Sequence, residues 1–117
     1  MPRRNELARQ YEELLTDLDV ESAPTAPEGS RHAFHLYPIR VPNRRAVYET
    51  MRAAGIGVQV HYVPIYRHPL FAEFGTAPSD FPEAERAYRG LLSLPLYPGL
   101  TDAAQLRVVD SLAAALA

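Results

Sequence analysis

In the opening stretch RRNELARQYEELLTDL, apolar residues recur three and four positions apart at Leu7, Tyr11, Leu14, Leu15 and Leu18, with Glu6, Arg9, Glu12 and Glu13 falling opposite. That period predicts an amphipathic helix. Only Asn5 is available as a cap, and the stripe is already running by Leu7, so the helix reads as the continuation of something upstream. Residues 20–30, VESAPTAPEGS, lose the period and gather Pro, Ser, Thr and Gly, the composition of a loop. In RHAFHLYPIRV the period shortens to two, with Phe34 and Leu36 on one face of a predicted strand and His35, Tyr37, Ile39 and Val41 on the other. Pro38 cannot donate to a ladder, which predicts a sheet edge or a bulge there.

Asn43 suits the N-cap of a second helix carrying Val47, Tyr48, Met51 and Ala54, and Gly55 suits the residue just past its end. GVQVHYV then alternates again, with Val58, Val60 and Tyr62 facing one way and Gln59 and His61 the other. Asp80 and Pro82 open a third helix with Phe81, Ala84, Ala87, Tyr88 and Leu91 inward. Pro95, Pro98 and Gly99 make the following SLPLYPGLT extended and turned. Thr101 caps a last helix with Asp102 in its first turn and a stripe of Leu106, Val109, Leu112, Ala113 and Leu116. The predicted class is α+β: a small, mostly antiparallel sheet covered by helices.

At 117 residues, this is one domain by length, 1–117, with an α+β body over 31–117. An apolar fraction of 47% and a charged fraction of 22% are those of a folded chain that needs no membrane. The formal charge of -2 gives no general attraction to nucleic acid. Absence of cysteine removes disulfides, thiol nucleophiles and thiolate metal sites, and fits a reducing cytoplasm. The N-terminus lacks the apolar core of a signal peptide. All 12 residues of the Lys+Arg count are arginines, so no lysine is available as a Schiff-base amine or general base.

No complete catalytic set follows from the remaining side chains. His32 and His35 stand three apart and His61 and His68 seven apart, neither with the spacing of a helical zinc motif. No serine sits in a strained nucleophile elbow, and GIG at 55–57 follows a helix and suits a turn better than a phosphate cradle. What stands out is GIGVQVHYVPIYRHP, in which His61, Tyr62, Pro64, Tyr66 and His68 set amphipathic rings beside stiff prolines. Such a wall suits a polar, ring-shaped ligand such as a sugar. The plainer alternatives are that His61 lies on the solvent face of an edge strand and that the tyrosines simply cover the sheet.

GIGVQVHYVPIYRHP, HAFHLYPIRV, FPEAERAYRGLLSLPLYPGLT and the opening RRNELARQYEELL, in this relative order, resemble the C-terminal part of DegT/StrS-type sugar aminotransferases. The likeness is closest to the branch that aminates UDP-linked 4-keto-6-deoxy-N-acetyl hexoses in pseudaminic acid biosynthesis. The resemblance implies a fold type I enzyme that uses pyridoxal phosphate, works as a homodimer, and carries the cofactor on a large domain that supplies the Schiff-base lysine. It further implies that these residues are the small C-terminal domain, that 1–19 is the linking helix, and that the missing large domain is a partner. Pyridoxal phosphate is expected in the complete enzyme and not in this chain alone, which is expected to be inactive. The amino donor implied is glutamate.

Residue by residue, the resemblance gives His61 and Tyr62 as a pair facing the active-site cleft and Pro64 as the turn that follows. Tyr66 stands where many members have a second histidine. His68 falls at a variable position, and His35 matches a strand histidine that packs. Together these five, His61, Tyr62, Pro64, Tyr66 and His68, are the expected substrate-binding set, with no metal and no catalytic residue in the chain. The alternative is a free-standing sugar-nucleotide binding or regulatory module.

Overall fold

The computed structural model describes residues 2–22 and 26–117; of the predicted 20–30 loop, Ala23, Pro24 and Thr25 lie outside the described residues. Helix α1 spans Pro2–Leu14, strand β1 Glu21–Ser22, β2 Tyr37–Arg40, α2 Arg44–Ala53, α3 Pro82–Gly90, β3 Leu91–Leu94 and α4 Asp102–Leu116. The strands form one antiparallel sheet in the order β1-β2-β3, covered by the helices, the α+β architecture expected.

One apolar core joins the sheet to α1, α2 and α4. Leu7, Ala8 and Tyr11 of α1 are fully buried with Tyr37, Ile39, Val47, Met51, Val58, Leu92 and Leu112. Alternation in β2 is clean, with Tyr37 and Ile39 inward, and Val41 continues the inward face beyond the strand. Tyr11 stacks on Tyr37 with ring centroids 4.8 Å apart and donates to the Pro95 carbonyl at 2.8 Å. Burial, followed by the neighbouring phenols, pushes the Tyr11 hydroxyl well above its ordinary value and keeps it a donor. Gln105 donates from Nε2 to the Leu7 carbonyl at 2.8 Å, and Arg3 reaches the Leu100 carbonyl and Asp102. Thus α1 is sealed against α4 within this chain, and its stripe does not wait for an outside surface.

The helix ends follow local chemistry. Thr101 caps α4 by accepting from the Ala104 amide at 3.2 Å. Gly55, at φ 79°, ends α2 in a Schellman motif: Gly55 N–H donates to Arg52 and Ile56 N–H to Met51, with Ile56 and Met51 both buried. Asn43 occupies the N-cap position of α2 but is itself left-handed, φ 44°, and its side chain makes no capping bond. Gly90 sits in a close approach, since a Cβ there would lie 3.1 Å from the Val41 carbonyl oxygen and the backbone would have to give by a few tenths of an ångström.

Several expectations are corrected. GVQVHYV is not a strand; it contributes a single antiparallel bridge, Gln59 with Ser93, with backbone bonds of 2.8 and 3.3 Å. The third strand is LLSL, where Leu91 begins β3 rather than ending the helix face. No residue beyond Gln59 in GVQVHYV extends the ladder, and from Ile65 the chain runs into 3-10 turns. The strand expected over 31–41 begins only at Tyr37, because Phe34 turns at φ 43°; His35 is exposed ahead of it rather than packed. Leu14 and Leu106 lie at the solvent edge of their stripes, and Gln105 takes the buried place on α4.

Pro38 sits in a strand that is central by order. Ser93, opposite it, spends its N–H and C=O on Gln59, so Pro38–Ser93 is a non-hydrogen-bonded pair and the missing donor faces the β1 side. Among the described residues, the β1 pairing there ends at Ser22 with Ile39.

Candidate functional site

From Gln59 to Ala84 no residue is buried, and the chain runs through three short 3-10 turns, Ile65–Arg67, Pro69–Phe74 and Pro78–Asp80. The radius of gyration, 15.6 Å, exceeds the roughly 13 Å of a compact chain of this length. This segment carries all five expected site residues. Tyr62 is 66% exposed, and Val63, Ile65, Leu70 and Phe74 also face outward. The rings of His61 and Tyr62 meet edge-on at 4.8 Å. His61 is half-buried, and its Nδ1 is enclosed without a hydrogen-bonding partner among the described residues. Pro64 is half-buried at the start of the first turn, and its carbonyl accepts from Arg67 N–H at 2.9 Å.

Tyr66 and His68 part from that pair. The Tyr66 ring stacks on Phe81 at 4.4 Å and its hydroxyl donates to Glu85 Oε1 at 2.9 Å, so that oxygen is committed to α3. Burial first, and then the Glu85 carboxylate, raise the phenol above its ordinary value. His68 is exposed, its Nε2 lying 3.3 Å from the Val63 carbonyl of its own loop. The structure therefore brings the His61 and Tyr62 rings together, with Pro64 two residues on at the start of the first turn, and ties Tyr66 to α3 instead. The largest of the four principal cavities, about 460 Å³, lies between β1, β2 and α3, and none of the four is lined by the five residues. Tyr62 stands on an open face rather than in one of these cavities.

Two residues that carry this geometry escaped the sequence reading. Glu85, its side chain 8% exposed, accepts from Arg67 through Nε at 2.8 Å and a terminal nitrogen at 2.5 Å as well as from Tyr66. The Arg67 bonds outweigh burial and hold the carboxyl at about 2, against an ordinary 4.5. Arg67 and Arg44 also lie over the Tyr88 ring, 5.6 and 5.0 Å from its centroid. The signal was present: Phe81, Glu85 and Tyr88 are spaced i, i+4, i+7 on one face, and Arg67 is the only charged residue in GIGVQVHYVPIYRHP. An acid inside an aromatic stripe calls for a cation opposite.

Pyridoxal phosphate does not fit covalently on these residues, because the chain has no lysine to supply an ε-amine. Among the described residues, no helix is long and apolar enough to cross a membrane.

The model of the DegT/DnrJ/EryC1/StrS aminotransferase family matches residues 1–113. A dTDP-4-dehydro-2,3,6-trideoxy-D-glucose 4-aminotransferase of Saccharopolyspora spinosa is 37% identical over 111 residues, 92% of this chain and 28% of that protein. Among solved structures, DesV of S. venezuelae, in complex with a ketimine intermediate, is 32% identical with a TM-score of 0.90 over 97% of this chain and 31% of its own. PseC of Helicobacter pylori, an aminotransferase involved in the biosynthesis of pseudoaminic acid, is 28% identical with a TM-score of 0.86 over 98% of this chain and 32% of its own. The chain thus spans under a third of the length of these relatives.

Proposed function

Because the chain belongs to the DegT/DnrJ/EryC1/StrS aminotransferase family, whose members depend on pyridoxal phosphate, we propose that it is the C-terminal domain of a nucleotide-sugar aminotransferase. Its share of the reaction is to hold the sugar nucleotide, with His61, Tyr62 and Pro64 as the wall against which the sugar packs. Pyridoxal phosphate, which would be held by a lysine outside this chain, would supply the electron sink for amino transfer. Residues 61–64 orient the keto sugar toward it and exclude water on their side. The observation that carries this reading is the exposed Tyr62 ring, edge-on to the half-buried His61, on a segment without buried residues. A loop held in place while it turns Tyr62 and its apolar neighbours outward is suited to being covered.

We assign a UDP-linked 4-keto-6-deoxy amino sugar as the acceptor and glutamate as the donor; likeness to PseC, an aminotransferase involved in the biosynthesis of pseudoaminic acid, supports an amino-sugar route without naming either. The outward Val63, Ile65, Leu70 and Phe74 are the side chains we assign to contact with the missing large domain, in an enzyme that works as a homodimer. The test is turnover by the full-length protein containing this chain, supplied with glutamate and either UDP- or dTDP-linked 4-keto-6-deoxy sugars. Preferred amination of the UDP-linked amino sugar is the expected result. Preference for dTDP sugars moves the assignment toward the S. spinosa relative, and turnover of neither overturns it. The 117-residue chain alone is expected to show no transaminase activity.

A second reading, a free-standing sugar-nucleotide binding module, is favoured by one observation: the α1 stripe closes within the chain's own core. Binding of UDP-N-acetylglucosamine by the isolated chain, without any transaminase in its full-length context, is the result that would select it.

A further inference from the structure

We propose that Glu85 is a positioning residue for the sugar-nucleotide wall, one of two clamps that hold residues 59–67 on the continuous α3–β3 unit. This deepens, and rests on, the assignment of residues 61–64 to the sugar-nucleotide cleft.

The first clamp is the Gln59–Ser93 bridge, in which both backbone groups of each residue are exchanged. The second is the Glu85 carboxylate, which accepts three hydrogen bonds from Tyr66 and Arg67. Ser93 and Glu85 belong to one uninterrupted run, since α3 ends at Gly90 and β3 starts at Leu91. His61 and Tyr62 lie between the clamps, two and three residues past the first. From the second clamp, order passes back through the turn: Arg67 N–H bonds to the Pro64 carbonyl and His68 N–H to that of Ile65. The proline ring stiffens the next link.

Apolar burial does not hold this span, because nothing from Gln59 to Ala84 is buried. Polar and aromatic contacts to α3 are what remain: the carboxylate, the Tyr66–Phe81 stack, and Arg67 over Tyr88. Of these, the carboxylate is the only group that binds two loop residues at once, so its loss releases both. A change at Glu85 then reaches the substrate through the pose of His61 and Tyr62, without Glu85 touching it.

The experiment compares wild type with Glu85→Gln and Arg67→Met in two arms. Amide hydrogen exchange on the 117-residue chain reads the clamp directly. The Arg67 and His68 amides, bonded to the Pro64 and Ile65 carbonyls, should exchange about tenfold faster or more in both variants, while α4 and the Tyr37–Leu94 and Ile39–Leu92 pairs stay protected. Unchanged exchange at Arg67 and His68 overturns the proposal, and so does faster exchange everywhere, which marks Glu85 as merely structural. In the full-length enzyme, Glu85→Gln should raise KM for the keto sugar nucleotide about tenfold, hold kcat within about threefold, and leave the half-reaction with the amino donor unchanged. Equal loss in both half-reactions contradicts it. His61→Ala separates the two levels. If it raises KM while a loosened Glu85→Gln loop does not, the positioning role fails and the cleft stands. If neither variant changes KM, the cleft assignment has fallen and the proposal with it.

Discussion

The core around Tyr11, Tyr37 and Leu112 and the 59–84 segment are held by opposite means. In the core, apolar side chains from α1, α2, α4 and the sheet exclude water, and Gln105 Nε2 and the Tyr11 hydroxyl end on backbone carbonyls. The outer segment has no fully buried residue and hangs on one carboxylate, two stacked rings and a bridge, with Tyr62, Val63, Ile65, Leu70 and Phe74 turned outward. A region stabilised by burial keeps its shape under single surface changes. A region held by a few directional contacts can present rings to a ligand but is released by one substitution, and this makes it the part of the molecule suited to recognition.

Substitutions should separate the two regions sharply. Leu112→Ala removes a fully buried side chain where α4 meets the core and should cost about 2–5 kcal/mol of unfolding free energy in a denaturant titration. A loss under about 1 kcal/mol there would mean that the core is not the stabilising region.

His61→Ala should leave stability almost unchanged, because its Nδ1 has no partner to lose, and should weaken transition-state binding of the sugar nucleotide by about 1–3 kcal/mol in the full-length enzyme. A variant that keeps full turnover but unfolds earlier would make His61 structural.

Acid should act on the outer segment through Glu85. Its folded-state value, about 2, lies below the ordinary 4.5, so the clamp contributes fully above pH 4.5 and is lost as pH falls toward 2. Asp102, lowered by its bond to Arg3, works in the same direction at the α1–α4 contact. Glu85→Gln has nothing to titrate at that site. The gap in thermal midpoint between wild type and Glu85→Gln should therefore narrow between pH 6 and pH 2. A gap that is constant or widens contradicts the clamp.

The smallest effect expected is that of Leu70→Ser. Leu70 is 77% exposed, so the change should move the stability of the isolated chain by less than about 0.5 kcal/mol. In the full-length protein, the same change should weaken the packing that covers this face, read as a lower thermal midpoint.

The helices were legible in the sequence because their apolar residues recur three and four positions apart, and two carry a local end signal: Thr101 at the start of α4, Gly55 at the end of α2. The strands were less so. GVQVHYV has the right alternation, but alternation says nothing about whether a partner is in reach, and only Gln59 finds one. LLSL carries no alternation, since Leu92, Ser93 and Leu94 are all buried, and three residues in a row look the same in a helix end as in a strand. At the site, the rings were visible as a cluster, and resemblance gave them a direction. Their support was not visible, because Glu85 and Arg67 are 18 residues apart and each, taken singly, looks like surface charge.

The central claim, that residues 61–64 form the sugar-nucleotide wall of a larger aminotransferase, is tested most directly by a crystal structure of the full-length protein with UDP-N-acetylglucosamine bound. The account predicts side-chain atoms of His61 or Tyr62 within about 4 Å of the ligand, in van der Waals or hydrogen-bonding contact. A ligand seated elsewhere, with both rings turned to solvent or packed only against protein, would contradict it.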